Sequence, residues 1–202
     1  MTSRVRSCLA LVGFLLLATA CGTSPPPTSE TPSPTASPVP SAADLSAGNL
    51  VWFAPLPPRP WVQASGSDDF MTLFAANAEW TQAGARIDVF KLYGEWVDNT
   101  TPSQLRAAID GIHARGMVLA VEAGPLDSAG CGEGVESFAG SDSGRRLAHR
   151  IRAAGGTLQV IALDEPYYNA HLYGGPNACN WPVDRVALGV AAFVSAVSEE
   201  FP

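Results

Sequence analysis

Four apolar runs of six or seven residues recur along the chain from residue 48 onwards. Each is followed by a longer segment in which apolar residues recur every three or four positions. A short continuous apolar run is typical of a buried strand, and the longer period is that of an amphipathic helix. The predicted strands span residues 50–55, 87–93, 117–122 and 158–163. We therefore predict four successive strand–helix units, which favours parallel strands joined by right-handed crossovers.

The predicted helices span residues 68–83, 102–115, 143–154 and 182–200. The second has the clearest boundaries. Thr101 as N-cap, Pro102 at the first helical position and Gln104 three residues after the cap form the pattern of a capping box. Gly116 is predicted to end this helix in a left-handed conformation.

The connections between these elements differ in length according to their direction. Helix-to-strand connections are a few residues long, whereas about twenty residues follow each of the strands that end at Glu122 and Leu163. Long loops in a compact domain are usually functional, and parallel α/β proteins place their sites at the carboxyl ends of the strands. Cys131 and Cys179 lie in these two loops, and we predict that they form a disulfide; two free thiols are the alternative.

The first twenty residues have the pattern of an export signal. Arg4 and Arg6 precede an apolar run at 9–17, and the small residues 18–20 precede Cys21. The motif at 18–22 resembles the lipobox of bacterial lipoproteins, which implies a lipid on Cys21 and an extracytoplasmic, membrane-anchored location. A plain signal peptide and an uncleaved anchor are the alternatives.

Composition divides the remainder of the chain into two parts. Residues 21–47 are rich in Pro, Ser and Thr and have few large apolar side chains, so we predict an extended linker. Residues 48–202 are the predicted folded domain. The formal net charge is −7 and becomes more negative if the signal is removed, which argues against a nucleic-acid partner.

The end of the fourth predicted strand carries the residues that indicate chemistry. Asp164, Glu165 and Pro166 follow the strand directly. This triplet resembles the Asn-Glu-Pro motif that ends strand four in the large clan of (β/α)₈-barrel glycoside hydrolases. The resemblance implies an α/β fold similar to half of such a barrel, with Glu165 as the general acid/base. Asp164 stands where that clan has asparagine.

The number of units falls short of a closed barrel, which needs eight strands and about 250 residues. Three interpretations remain open at this point: a truncated reading frame, a half-barrel that pairs with a second copy, and a small open α/β sheet. The second of these implies a homo-oligomer.

The strand ends and the loops beyond them supply a predicted carbohydrate site. Aromatic rings stack on the apolar faces of sugars, and carboxylates bind sugar hydroxyls. The predicted catalytic residues are Glu165, Asp164 and Glu122. The predicted substrate-binding residues are Trp52, Lys91, Tyr93, Glu95, Trp96, Tyr167, Tyr168 and His171. We predict no metal site and no cofactor.

Three functions are consistent with this pattern. The first is a glycoside-hydrolase-like domain, which needs a second carboxylate that the resembling clan takes from strand seven; Glu122 and Glu95 are the possible substitutes. The second is a carbohydrate-binding or scaffold lipoprotein without turnover. The third is a non-functional fragment that unfolds with little cooperativity and exposes an unpaired fourth strand. For Asp164 and Glu165 themselves, the alternative to catalysis is that they only cap loops or pair with an arginine.

Overall fold

A computed structural model of the chain describes residues 45, 48–58, 69–128, 130–140 and 142–202. The predicted signal, the predicted lipidation site Cys21 and most of the predicted linker lie outside these residues. Within the described ranges, no helix has both the length and the apolar character that a membrane span requires.

The four predicted strands form one parallel sheet in the order β1-β2-β3-β4. The strands are β1 (Trp52–Phe53), β2 (Val89–Tyr93), β3 (Val118–Ala123) and β4 (Val160–Leu163). Sequential order distinguishes this sheet from doubly wound folds, in which the strand order reverses part way. The predicted fold class, an α/β domain of four consecutive βα units similar to part of a barrel, is confirmed.

Five α-helices and two short helical turns connect the strands in the described part of the chain. The helices are α1 (Thr81–Gly84), α2 (Gly94–Asn99), α3 (Pro102–His113), α4 (Ser143–Ala153) and α5 (Val183–Ser198). The turns are a 3₁₀ segment, Phe70–Phe74, and a π-helical turn, Tyr168–Leu172.

The predicted capping of α3 is confirmed. The Thr101 side chain accepts a hydrogen bond from the Gln104 backbone, and the Gln104 side chain accepts one from the Thr101 backbone N–H. Gly116 follows the helix with a φ of 70°, a conformation that glycine adopts without steric cost.

The prediction of one helix over residues 68–83 was wrong, because residues 75–80, between the 3₁₀ segment and α1, form turns and bends instead of helix. Ala75 has a ψ of 145°, which stops the first turn. The Trp80 indole donates to the Leu73 carbonyl at 2.9 Å, so a side chain satisfies an acceptor at the end of that turn. The Leu73 carbonyl therefore accepts from the Trp80 side chain and not from a backbone N–H of a continuing helix.

Alternate residues of the strands face two different environments. Phe90 and Leu92 of β2 pack with Leu119 and Val121 of β3 in the main core, against α2, α3, α4 and α5. Because helices of successive units meet this one core, they cover the same face of the sheet. Lys91, Tyr93 and Glu122 alternate with these core residues and therefore lie on the opposite face.

A second, smaller core lies beneath the two long loops. Leu126, Ala170, Trp181 and Val186 are buried together there, with the Cys131 and Cys179 side chains packed against them. Phe138 meets Trp181 edge to face, with ring centroids 5.3 Å apart. This core fixes the loops that stand over the carboxyl ends of β3 and β4.

Candidate functional site

A charged pair links β2 to β3 at their carboxyl ends. The Lys91 ammonium donates to the Glu122 carboxylate, and the side chains are 14% and 27% exposed. Lys91 also lies over the Tyr93 ring, 4.6 Å from its centroid. Tyr93 is in turn the register partner of Glu122, so three predicted site residues are in one cluster.

Asp164 lies directly beyond β4, next to this pair. Its backbone N–H donates to the Ala123 carbonyl at 3.2 Å, which continues the ladder between β3 and β4. Burial raises the pKa of the Asp164 carboxyl above its usual 3.8, and the carboxylates of Glu122 and Glu136 raise it further. The Ser137 backbone N–H and the Lys91 ammonium act in the opposite direction.

These carboxyl groups surround a cavity of about 560 Å³. Its polar lining includes Glu95, Asp98, Glu122, Glu136, Ser137 and Asp164, and its apolar lining includes Val135, Phe138, Leu147 and Phe193. The cavity lies where the strand ends meet the loop at 134–139, which is the edge at which parallel α/β proteins bind ligands. Its volume is within the range of small-molecule pockets.

Helix α2 supplies the wall of the cavity opposite the loop. Asp98 of this helix lies 3.7 Å from Arg146 of α4. Burial raises the pKa of Asp98, although the nearby Arg146 and Arg150 guanidinium groups lower it. Gly94 begins α2 in close contact with the end of β3, because a Cβ there would lie 3.0 Å from the Glu122 carbonyl oxygen.

Glu165, the acid that the resemblance implies, is not among the residues that line the cavity. It is exposed, and its backbone has a φ of 42°, a left-handed value that is uncommon outside glycine. Its carbonyl accepts from the Asn169 N–H at 3.0 Å, at the start of the π-helical turn. Of the two adjacent acids, the structure therefore brings Asp164 to the cavity.

The two predicted tryptophans lie away from the cavity. Trp96 was predicted at the rim of the site, but α2 turns it into the main core, where it is 7% exposed and meets Phe70 edge to face at 5.2 Å. This placement corrects the expectation that Trp96 stacks on a sugar. Trp52 is on β1, at the end of the strand order furthest from β4, and is largely exposed.

The aromatic residues that follow Glu165 also form a separate group. Tyr167 lines an apolar groove with α5 residues that include Val186 and Val190. Tyr168 is exposed, and the His171 ring lies 5.2 Å from Tyr167. The His171 Nδ1 lies 2.6 Å from the Trp181 carbonyl oxygen, so this histidine holds its own loop.

The predicted disulfide between Cys131 and Cys179 is confirmed. It joins the β3–α4 loop to the β4–α5 loop. Two further contacts connect the same loops: the Gly132 N–H donates to the Asn177 carbonyl at 2.8 Å, and the Asn177 side chain donates to the Glu133 carbonyl at 2.8 Å. The wall of the cavity is thus attached to a neighbouring loop by a covalent bond and by hydrogen bonds.

Sequence reasoning missed four polar residues at or beneath the site, namely Asp98, Glu136, Ser137 and Asn169. One available signal was the density of glycines around the β3–α4 loop. Gly130, Gly132, Gly134 and Gly140 all adopt positive φ, and such spacing marks a loop with a specific backbone path.

A metal centre is not part of this arrangement. Among the described residues, no group of three or more His, Cys, Asp or Glu side chains is placed to hold a metal ion. The polar groups that line the cavity are mainly carboxyl groups, with Lys91 paired to one of them, Glu122.

No protein-family model and no curated protein sequence matches the chain. The chain is similar to a solved structure described as the crystal structure of D-psicose 3-epimerase in the presence of D-fructose, at 12% identity and a TM-score of 0.37. The similarity covers 62% of this chain and 45% of the epimerase chain, so this chain spans less than half the length of that protein. The fold class rests on the strand order and the parallel pairing.

Proposed function

We propose that this domain acts on carbohydrate, with Asp164 as the proton donor and Glu122 as the second carboxylate of a glycoside-hydrolase-like site. One observation carries the proposal: the cavity at the strand ends is lined by both carboxyl groups, while the adjacent Glu165 is outside it. Glycoside hydrolysis needs a pair of carboxyl groups in which one holds a proton at the working pH.

The electrostatics of the cavity support these two roles. Burial and neighbouring carboxylates favour the protonated form of Asp164, which is the form that can protonate a leaving glycosidic oxygen. Glu122 forms an ion pair with the Lys91 ammonium and lines the same cavity as Asp164. An ionised Glu122 can accept a proton from the water that attacks the sugar.

The adjacent acids of strand four provide a matched test. The full chain, purified in detergent, would be assayed for release of reducing sugar from a panel of polysaccharides. We expect Asp164→Asn to reduce the rate by about a hundredfold or more, because general-acid catalysis contributes on that scale. Glu165→Gln should retain most of the rate. Loss of activity in Glu165→Gln alone would contradict the assignment and restore the role that the resemblance implies for Glu165.

A carbohydrate-binding protein without turnover is the second candidate. The position of Glu165 outside the cavity favours it, because the residue that the resemblance implies as acid/base is then absent from the site. This alternative predicts that saccharides bind to the full chain without any release of reducing sugar, and that binding survives Asp164→Asn.

The location of the protein belongs to the same proposal. We infer that the domain is held at the outer face of a cell membrane by a lipid on Cys21, with residues 22–47 as the tether. The motif at 18–22 and the composition of the linker support this inference. Cys21→Ser should move the chain from the detergent phase to the aqueous phase of a detergent partition. Unchanged partition of this variant would contradict a lipid anchor at Cys21.

A further inference from the structure

Two buried polar side chains bond to each other beneath the cavity. Ser137 is 3% exposed and Asn169 is 5% exposed. The Asn169 side-chain amide donates to the Ser137 hydroxyl oxygen, with the two atoms 3.0 Å apart. Polar side chains are buried at a cost unless they are hydrogen-bonded, so removal of either partner leaves the other unsatisfied.

The backbone of Ser137 is held in an unusual conformation. Its φ is 73°, in the left-handed region that a residue with a side chain adopts only when its surroundings impose it. The Ser137 carbonyl accepts from the Leu126 N–H at 2.9 Å. Gly124 permits this close approach, because a Cβ at Gly124 would lie 2.7 Å from the Ser137 carbonyl carbon.

Ser137 lines the cavity together with Asp164, and its backbone N–H lowers the pKa of the Asp164 carboxyl. Asp164 and Asn169 belong to the same segment of chain, which leaves the end of β4. Asp164 follows β4 directly, and Asn169 lies in the π-helical turn a few residues later. The segment 164–169 therefore carries the Asp164 carboxyl group and also, through Asn169, anchors Ser137 beside it.

We propose that Asn169 is a positioning residue of the carbohydrate site, acting through Ser137 to hold the Asp164 carboxyl group in place. The role as stated rests on the proposed function, because it assigns Asn169 to the same site. It goes beyond that function because Asn169 does not line the cavity itself and acts on Asp164 only through Ser137.

The titration of Asp164 is the direct readout, because it needs no substrate. Carboxyl carbon NMR on the full chain would follow Asp164 in the parent, Asn169→Ala and Ser137→Ala. The groups that face Asp164 are Glu122, Glu136 and Lys91, and all of them remain in these variants. Since the Ser137 N–H lowers the pKa of Asp164, a displaced Ser137 should raise that pKa above the parent value.

Asn177→Gly is the matched control. Asn177 also bridges the two long loops through its side chain, but it bonds to Glu133 and not to Ser137. Its φ of 61° is one that glycine tolerates. We expect the Asp164 titration in this variant to match that of the parent.

Three outcomes decide the proposal. A higher pKa of Asp164 in both single variants, with no further rise in the Asn169→Ala, Ser137→Ala double variant, supports it. An unchanged titration in folded Asn169→Ala, or an equal rise in Asn177→Gly, overturns it. If Asn169→Ala does not fold, Ser137→Ala carries the same test, because it removes only the hydroxyl group.

A separate assay distinguishes this proposal from the proposed function. On a polysaccharide that the parent hydrolyses, Asn169→Ala should lower kcat about tenfold and change KM less, because a small misplacement of a catalytic group affects the chemical step. A parent without hydrolytic activity would contradict the proposed function, while the titration would still decide whether Asn169 positions Asp164.

Discussion

Lys91 of β2 reaches diagonally across the sheet to pair with Glu122 of β3. The register partner of Lys91 is Ala120, so Glu122 lies two residues further towards the carboxyl end of its strand. The lysine therefore points to the edge of the sheet at which Asp164 emerges. This pair therefore places a positive charge next to the carboxyl groups of Glu122 and Asp164.

Replacement of this lysine should destabilise the fold. Lys91→Met leaves the partly buried Glu122 without its counter-ion, and we expect the free energy of unfolding to fall by about 1–3 kcal/mol. Arg145→Met, which breaks the exposed pair with Glu199, is the control and should change stability by about 0.5 kcal/mol or less. Urea denaturation measures both. An equal effect of the two substitutions would contradict a buried, structurally important Lys91–Glu122 pair.

The Asp164 carboxyl group should make stability depend on pH. Its pKa is raised in the folded state, so its favourable contribution is complete below its ordinary value of 3.8 and is lost as pH rises through the folded-state pKa. The Asp164→Asn variant has no carboxyl group to ionise at this position, so it does not lose stability as pH rises. We expect a higher Tm than the parent at pH 7, with a difference that narrows as pH falls below about 4.

Asp127→Asn, at an exposed carboxylate of the β3–α4 loop, is the control for this measurement. Its Tm should follow that of the parent at each pH. A lower Tm of Asp164→Asn at pH 7 would show that the ionised carboxylate stabilises the fold, contrary to the burial and charge of its surroundings.

The disulfide should contribute a large part of the stability of the loops. Cys131 and Cys179 are 48 residues apart, and closure of a loop of this size stabilises the folded state by about 4 kcal/mol in the chain-entropy model. We expect the Cys131→Ser, Cys179→Ser double variant to lose about 2–4 kcal/mol in urea denaturation. Stability equal to that of the oxidised parent would mean that the second core holds the loops without the crosslink.

Two of the aromatic residues that the sequence predicts to bind sugar, Trp96 and Tyr168, should differ in their effect on stability. Trp96→Ala creates a cavity beside Phe70 in the main core and should cost about 3–5 kcal/mol. Tyr168 is 52% exposed, so Tyr168→Ala should cost about 0.5 kcal/mol or less. Thermal or urea unfolding compares them. A small effect of Trp96→Ala would contradict its place in the core.

The elements that could be predicted from sequence are those set by local chemistry. Buried parallel strands need continuous apolar runs, and the capping box of α3 depends on residues within one turn. Helix α2 was missed because its six residues are too few to show helical periodicity. The direction of Trp96 depends on that helix, and so its burial could not be predicted either.

The part of the site that lies at the ends of the strands could be predicted from the sequence. Glu122 lies near the end of β3 and Asp164 directly follows β4, so their shared edge follows from parallel pairing. The choice between Asp164 and Glu165 depends on how β4 ends, which the sequence does not specify. Ser137 and Asn169 are brought together by the tertiary path of two long loops, and no local pattern encodes their contact.

The most direct test of a carbohydrate site at Asp164 and Glu122 is the response of individual carboxyl groups to added saccharide. Carboxyl carbon NMR on the full chain would record each Asp and Glu side chain as oligosaccharides are added at constant pH. We expect the resonances of Asp164 and Glu122 to shift until the oligosaccharide saturates the site, while that of Glu165 does not shift. Movement of Glu165 without Asp164, or no carboxyl response to any saccharide, would contradict a carbohydrate site in this cavity.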